Sequence, residues 1–201
     1  YIEKLTSPEY SYLTELNIES WEKVLIPRML SGHIQGRMLS MFSHMIKPKR
    51  ILEIGTYTGY SALCLAEGLV ENGKIFTIDN NEEISGYLKK YADKSSLKDK
   101  VVQLIGDAKS IIPTLDEQWD IVFIDADKEN YSNYYDLVFD RVKKGGFIIA
   151  DNVLWSGKVV EEKTDKDTKA LIDYSTKIHH DDRVENVLMP VRDGLMVARK
   201  L

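Results

Sequence analysis

The chain has 201 residues, of which 43% are hydrophobic and 29% are charged, as is typical of a folded globular protein and not of a disordered or fibrous one. A net charge of −5 at pH 7 disfavours the basic surface that nucleic-acid-binding proteins usually carry, and no apolar run reaches the roughly 20 residues that a membrane span needs. We therefore predict one domain over residues 1–201 without a membrane partner. A cytoplasmic location is also predicted. The single cysteine, Cys64, cannot form an internal disulfide, which agrees with a reducing compartment.

Residues 1–49 are predicted to form an N-terminal helical segment. Two helices are expected, and the second ends ahead of Pro48. Its apolar residues recur at helical spacing and are Met38, Leu39, Phe42, Met45 and Ile46. Because this segment precedes the strand pattern described next, we expect it to pack over the edge or mouth of a sheet.

Residues 50–201 show the alternation of strands with helices. Five short runs rich in β-branched residues predict strands, and these are 50–54, 74–79, 101–105, 121–125 and 146–150. Apolar residues at helical spacing over 63–70 and 84–92 predict crossover helices. This alternation predicts an α/β core with a mainly parallel sheet.

The C-terminal part is predicted to close with a hairpin. A helix carrying Leu171, Ile172 and Ile178 follows a polar stretch, and two apolar runs, 184–189 and 195–198, come after it. Pro190 and the Asp193-Gly194 pair lie between the two runs, and both are typical of a turn.

A glycine-rich turn follows the first predicted strand and opens a helix. Gly55 and Gly59 allow a nucleotide-like ligand to approach the backbone, although glycines also serve simple tight turns. Their G-x-x-x-G spacing differs from the dinucleotide pattern G-x-G-x-x-G, which disfavours a nicotinamide dehydrogenase.

Two further strand ends support a ligand crevice. Asp79 ends the second strand, where a carboxylate can accept both hydroxyls of a ribose, and Gly106, Asp107 and Ala108 end the third, where small residues admit an adenine edge. The alternative for Asp79 and Asp107 is helix capping. Taken together, these strand-end residues favour the ligand crevice that open α/β sheets form at one edge.

Oxygen donors follow the fourth and fifth predicted strands. Asp125 ends the fourth, and Asp151 and Asn152 end the fifth. This donor set suits Mg²⁺, Mn²⁺ or Ca²⁺ better than zinc, which prefers His and Cys. Lys128 follows Asp125 by three residues and is either a general base for an acceptor hydroxyl or a solvated surface lysine; the neighbouring carboxylates favour the base.

The histidines give little support for a metal site. His179 and His180 stand beside two aspartates, but consecutive side chains at a helix end diverge, so a solvated turn is predicted. His33 precedes the second predicted helix and is left open between a place at the cofactor mouth and a helix cap.

Three motifs in order resemble the metal-dependent class I S-adenosyl-L-methionine (SAM) O-methyltransferase family, which includes caffeoyl-CoA and catechol O-methyltransferases and bacterial relatives. The resemblance covers residues 27–198. The motifs are LEIGTYTGYSAL at 52–63, FIDADKENY at 123–131 and DNVLWSGKV at 151–159, with DGL at 193–195 closing the pattern.

The resemblance implies a Rossmann-like, seven-stranded, mostly parallel sheet with one antiparallel strand in the C-terminal hairpin, helices on both faces, and a homodimer. It also implies Asp125, Asp151 and Asn152 as ligands of a divalent cation, Mg²⁺ before Mn²⁺ or Ca²⁺. Lys128 and Asp125 are then the catalytic residues. The residues implied to bind SAM are Ser31, Glu53, Gly55, Thr56, Ser61, Asp79, Ala108, Asp127 and Tyr134.

The implied reaction is methyl transfer to a hydroxyl of a small catechol-like or phenolic acceptor. The chain departs from the animal catechol enzyme, because residues 187–191 carry no carboxylate to grip a second hydroxyl. An alternative acceptor is 5-hydroxyuridine at the wobble position of tRNA, with phosphate contacts from lysines and arginines such as Lys47, Arg50 and Lys144. A SAM-binding module without catalysis is disfavoured, because all three metal ligands and Lys128 are retained.

Overall fold

A computed structural model describes residues 1–201, and its strands form one seven-stranded sheet. The strands are β1 (Arg50–Ile54), β2 (Lys74–Asp79), β3 (Val101–Ile105), β4 (Trp119–Ile124), β5 (Val142–Ala150), β6 (Val184–Met189) and β7 (Leu195–Lys200). Their order in the sheet is β3-β2-β1-β4-β5-β7-β6. β7 runs antiparallel to both β5 and β6, which confirms the predicted mixed sheet with one antiparallel strand in a C-terminal hairpin.

Eight α-helices accompany the sheet: α1 (Ile2–Leu5), α2 (Ser11–Lys23), α3 (Gly32–Ile46), α4 (Tyr60–Ala66), α5 (Ser85–Asp93), α6 (Ala108–Ile111), α7 (Tyr131–Phe139) and α8 (Lys166–His179). The N-terminal segment therefore contains three helices and not the predicted two, because one short turn, α1, precedes the longer pair. None of the helices combines the length and the hydrophobicity that crossing a bilayer requires.

Two compact units are present. The first contains residues 1–51 and 56–108, and the second contains residues 52–55 and 109–201. The assignment of residues 1–201 to a single domain stays a prediction.

In the first unit, α3 packs closely against α4 through small residues. The buried face of α3 consists of Gln35, Gly36, Leu39, Ser40 and Ser43. A Cβ atom added at Gly36 would collide with the side chains of Tyr60 and Cys64 in α4. Of the apolar residues that recur at helical spacing in this helix, Leu39 is fully buried, whereas Met45 is 74% exposed. Small side chains lie on the face of α3 that contacts α4, because larger ones would keep the two helices apart.

The helix α4 is buried on every side, and all seven of its residues are inaccessible or nearly so. It ends at Ala66, short of the predicted limit, and Val70 lies exposed beyond it. Cys64 is fully buried within α4, and burial raises the pKa of its thiol. Cys64 is therefore a core residue of the first unit.

In the second unit, β4 and β5 begin earlier than predicted. β4 starts at Trp119, which pairs with Val142, and the register shifts between Trp119 and Ile121. At the start of β5, Val142 is followed by Lys143, Lys144 and Gly145, so these residues do not show as an apolar run. The β6–β7 hairpin is confirmed, with Met189 opposite Leu195 and Gly194 at φ +84° in the connecting turn.

Candidate active site

In the first unit, the turn between β1 and α4 is held by its own polar side chains. Thr56 is buried, and its hydroxyl lies 2.5 Å from the hydroxyl of Thr77 in β2. Gly59 has φ +90°, and a Cβ there would collide with Leu88 of α5. The turn is therefore close-packed, and Gly59 is required both for its backbone conformation and for the space that it leaves.

Asp79, at the end of β2, is bound to this turn. One carboxylate oxygen accepts the backbone N–H of Tyr57 at 2.7 Å, and the other accepts that of Asn81 at 2.9 Å. The cap of the following 3₁₀ turn is Asn81, whose side chain accepts the N–H of Glu83 at 3.1 Å. Asp79 is thus not the helix cap of the alternative interpretation. Each of its oxygens keeps a lone pair for a further donor.

Three more residues of the predicted SAM set lie in the first unit. Ser31 immediately precedes α3, Ser61 lies in the first turn of α4, and Ala108 begins α6. Each is buried in the structure, with 7% or 8% of its surface exposed.

In the second unit, Glu53 and Gly55 lie at the end of β1. Glu53 is fully buried. Gly55 has φ +102°, and a Cβ there would overlap the carbonyl group of Asp125. The N–H of Asp125 donates to the carbonyl oxygen of Ile54 at 2.8 Å, so glycine is what allows the ends of β1 and β4 to lie in contact.

The charged amino group of Lys128 and three oxygen atoms around it form the centre of the second unit's polar cluster. Lys128 Nζ donates to Asp125 Oδ1 at 3.0 Å, to Asn152 Oδ1 at 3.1 Å and to the hydroxyl of Tyr131 at 2.7 Å. The side chain of Lys128 is only 10% exposed. Lys128 is therefore not a solvated surface lysine, and the oxygens of Asp125 and Asn152 already share one positive charge.

Asp151 completes the predicted ligand set. It is fully buried, and its Oδ1 accepts the N–H of Asn152 at 2.7 Å. Asn152 has φ +59°, a left-handed conformation that asparagine tolerates better than most residues. Carboxylate and amide oxygens that share a cation fit the donor preference of Mg²⁺, Mn²⁺ or Ca²⁺. No group of three His, Cys, Asp or Glu side chains is placed to hold a metal ion, so any such site depends on Asn152.

Tyr131 is a member of this cluster for which no role was predicted. It is fully buried, and its hydroxyl donates to the carbonyl oxygen of Asp151 at 3.0 Å. Burial raises the pKa of this hydroxyl well above its usual value, and the carboxylates of Asp125 and Asp151 add to the effect. The three-residue spacing from Lys128, which places two side chains on one face of a helical turn, was the available signal.

Asp127 and Tyr134 of the predicted SAM set also contact each other. The Tyr134 hydroxyl donates to Asp127 Oδ1 at 2.6 Å, and Asn130 donates to the other carboxylate oxygen. Asp127 is exposed, whereas Tyr134 is 4% exposed. The buried tyrosine therefore orients an accessible carboxylate.

The loop after Asn152 is strained and is held by the residues that precede β7. Trp155 and Ser156 have φ of +47° and +56°, which is unusual for residues other than glycine. The Ser156 N–H donates to Asp193 Oδ1 at 2.5 Å, and the Leu154 N–H donates to the Asp193 carbonyl oxygen at 2.9 Å. This places the Trp155 ring 5.7 Å from Lys128 Nζ.

The histidines have local partners. His33 Nε2 lies 2.8 Å from the carbonyl oxygen of Ser7, and His180 Nδ1 lies 2.8 Å from that of Thr176. His33 thus connects α3 to Ser7 in the segment between α1 and α2, a contact that neither of the two sequence interpretations includes.

Comparison with known proteins gives consistent matches. A family model described as O-methyltransferase matches residues 3–201. The caffeoyl-CoA O-methyltransferase of Medicago sativa is 35% identical over 189 residues, which cover 86% of this chain and 75% of that protein. An O-methyltransferase from Bacillus cereus, solved in complex with SAH, superposes with a TM-score of 0.92 at 26% identity over 100% of this chain and 96% of that one. An SAH-bound methyltransferase from Podospora anserina gives 0.90 at 28% identity, over 99% and 92%.

Proposed function

Because the chain belongs to the O-methyltransferase family, we propose that it transfers the methyl group of SAM to a hydroxyl of a small phenolic or catechol-like acceptor, assisted by a divalent cation. The observation that carries the proposal is the pair of oxygens, one from Asp125 and one from Asn152, that bind a single cationic nitrogen. A site that already accommodates one positive charge has the donors that a metal ion needs.

SAM is proposed as the methyl donor, and the names of the two SAH-bound relatives support this choice. In the first unit, Asp79 offers lone pairs for ribose hydroxyls, and Gly59 allows the close-packed turn that holds Asp79 in place. In the second unit, the Asp127 carboxylate is accessible for a donor group of the cofactor. The remaining residues of the proposed SAM set are Ser31, Glu53, Gly55, Thr56, Ser61, Ala108 and Tyr134.

The proposed metal ligands are Asp125, Asp151 and Asn152. A divalent cation bound there would polarise the acceptor hydroxyl and stabilise the negative charge that develops on its oxygen. Mg²⁺ is the first choice among the hard cations, with Mn²⁺ and Ca²⁺ as alternatives, because all three ligands offer oxygen.

Lys128 is proposed as the general base. Lys128 first releases its own proton to solvent. The acceptor hydroxyl then gives its proton to the resulting neutral amine, its oxygen forms a bond to the methyl carbon of SAM, and the bond from that carbon to sulfur breaks, so that S-adenosylhomocysteine leaves. Lys128 lies in a position suited to this role because it is mostly buried beside two of the proposed ligands. Alignment of oxygen, carbon and sulfur then supplies much of the rate enhancement, worth several kcal/mol.

The aromatic side of the cluster suits a flat acceptor. The Trp155 ring lies 5.7 Å from Lys128 Nζ and is partly exposed, and aromatic faces stack well on phenolic rings. No acceptor is assigned beyond this class. The tRNA alternative gains no support from the relatives described above.

A homodimer and a cytoplasmic location are also proposed. Large apolar side chains are exposed on α2, on the turn after it and on α3, and a second copy of the chain would remove them from water. They are Ile18, Trp21, Leu25, Ile26, Met29, Met41 and Met45. Sedimentation velocity at several protein concentrations tests the dimer.

The decisive experiment is turnover of SAM, with and without chelator, against caffeoyl-CoA, simple catechols and hydroxyuridine-containing tRNA. Asp151→Ala is expected to keep its affinity for SAH and to lose turnover by at least ~10²-fold. Asp136→Ala is the matched control, because Asp136 is an exposed carboxylate paired with Lys177 away from the cluster. Undiminished turnover in Asp151→Ala, or in the presence of chelator, would reject the metal-assisted mechanism.

A further inference from the structure

Lys128 uses all three of its N–H donors, and its three acceptors differ in kind. Two of them, Asp125 Oδ1 and Asn152 Oδ1, belong to proposed metal ligands. The third is the hydroxyl oxygen of Tyr131, at 2.7 Å the shortest of the three contacts. A cation bound by Asp125 and Asn152 would compete for the first two acceptors and leave the third.

The side chain of Tyr131 is held in one orientation by its neighbours. Its ring is fully buried and meets the ring of Tyr174 edge-on, with 5.5 Å between centroids. The hydrogen of the Tyr131 hydroxyl is donated to the carbonyl oxygen of Asp151. Toward Lys128 the hydroxyl oxygen can therefore only accept a hydrogen bond. The orientation of the lone pair that faces Lys128 is thereby set by the backbone of a proposed ligand.

We infer that Tyr131 is a positioning residue that retains Lys128 beside Asp125 and Asn152 when a divalent cation takes their side-chain oxygens. This inference rests on the proposed function, since it assumes the metal site. Without the Tyr131 hydroxyl, an incoming cation would displace the Lys128 amino group, which would have no other hydrogen-bond acceptor in the cluster to keep. Metal binding and turnover then both become less favourable, whereas the SAM contacts are untouched.

The test is a double-mutant cycle in Mn²⁺ affinity, measured by calorimetric titration. Tyr131→Phe removes one oxygen atom and keeps the ring. It is expected to weaken Mn²⁺ binding about 5- to 10-fold, the value of one buried hydrogen bond. In a Lys128→Met background, where there is no amino group to retain, the same change is expected to alter Mn²⁺ affinity less than about 2-fold.

Tyr135→Phe is the matched control, because Tyr135 is equally buried in α7 and donates to Asp181, outside the cluster. It is expected to leave Mn²⁺ affinity unchanged. In the turnover assay, Tyr131→Phe is expected to lower kcat about 10-fold at saturating metal without changing KM for SAM. SAH affinity serves as the check that the fold is intact.

The outcomes separate the two hypotheses. A wild-type protein that binds no Mn²⁺ would overturn the proposed metal site and this inference with it. A wild-type protein that binds Mn²⁺, combined with an equal loss from Tyr131→Phe in both backgrounds or with no loss in either, would overturn the inference alone.

Discussion

Arg37 and Glu67 form a two-pronged ion pair inside the first unit. The two terminal guanidinium nitrogens of Arg37 lie 2.9 and 2.6 Å from the two carboxylate oxygens of Glu67. The side chains are only 15% and 6% exposed. Ser40 of α3 and Tyr12 of α2 also donate to this carboxylate, at 2.5 and 3.3 Å, so one acidic group joins three helical elements.

Glu67→Gln is expected to lower the free energy of unfolding by about 3 kcal/mol, because it leaves the buried charge of Arg37 without its partner. Urea denaturation at pH 7 measures the change. The control is Lys98→Met, which breaks the ion pair between Lys98 and Asp93, whose side chains are 66% and 40% exposed. An exposed pair contributes less than about 1 kcal/mol. A similar small loss in both variants would contradict the structural importance of the Arg37–Glu67 pair.

The sequence predicted some parts of this fold well because their signals are local. β1, β2 and β3 match their predicted bounds to the residue, since each is an apolar run bordered by polar residues. The start of β5 was missed because Val142 is followed by polar residues and glycine, and Val142 belongs to the sheet through its pairing with Trp119 of β4. The buried face of α3 could not be predicted from its apolar spacing alone, because it depends on how closely α4 approaches.

The residues of the candidate site also fall into those that the sequence could predict and those that it could not. Asp125 and Asn152 were predicted to meet because neighbouring parallel strands end at one edge of a sheet, and both contact Lys128. The roles of Tyr131 and Asp193 were not predictable from residue type. They depend on a side-chain contact across the cluster and on a loop conformation with positive φ, and both arise only in three dimensions.

Gly55→Ala is expected to lower the free energy of unfolding by more than about 2 kcal/mol. The added Cβ would overlap the Asp125 carbonyl group, and the residue has φ +102°, a conformation that alanine avoids. Because the clash falls on Asp125, turnover is also expected to fall. Gly86→Ala is the control: nothing lies within 4 Å of its added Cβ, and helical alanine is favoured by about 0.5–1 kcal/mol. In thermal unfolding, Gly55→Ala is expected to lower the midpoint temperature and Gly86→Ala to raise it. A Gly55→Ala protein as stable as the wild type would contradict the close contact of β1 with β4.

The stability of the protein is expected to depend on pH through Glu19. Hydrogen bonds from Lys23, Lys90 and Tyr91 lower the pKa of this carboxyl group from 4.5 to about 2. Because the folded state prefers the carboxylate, the stabilisation is fully present above about pH 4.5 and is lost as the pH falls towards about 2. Lys23 and Lys90 are largely exposed, so the contribution is expected not to exceed about 1 kcal/mol.

Glu19→Gln therefore lowers the free energy of unfolding at pH 7, and the difference from the wild type should shrink as the pH decreases from 4.5. Urea denaturation of both proteins at pH 7, 5 and 3 measures this difference. A gap that stays constant over that range would show that the charge of Glu19 does not stabilise the contact of α2 with α5.

The hydroxyls of two buried tyrosines in the second unit are expected to contribute differently to the free energy of unfolding. Tyr174 is fully buried, and its hydroxyl has no hydrogen-bond partner. The hydroxyl of Tyr135 donates to Asp181 at 2.8 Å. An unpaired buried hydroxyl costs free energy, whereas a paired one contributes about 1 kcal/mol. Tyr174→Phe is therefore expected to keep or raise the free energy of unfolding by up to about 1 kcal/mol, and Tyr135→Phe to lower it by about 1 kcal/mol. Urea denaturation at pH 7 distinguishes the two, and a loss in Tyr174→Phe equal to that in Tyr135→Phe would mean that the Tyr174 hydroxyl has a partner in solution.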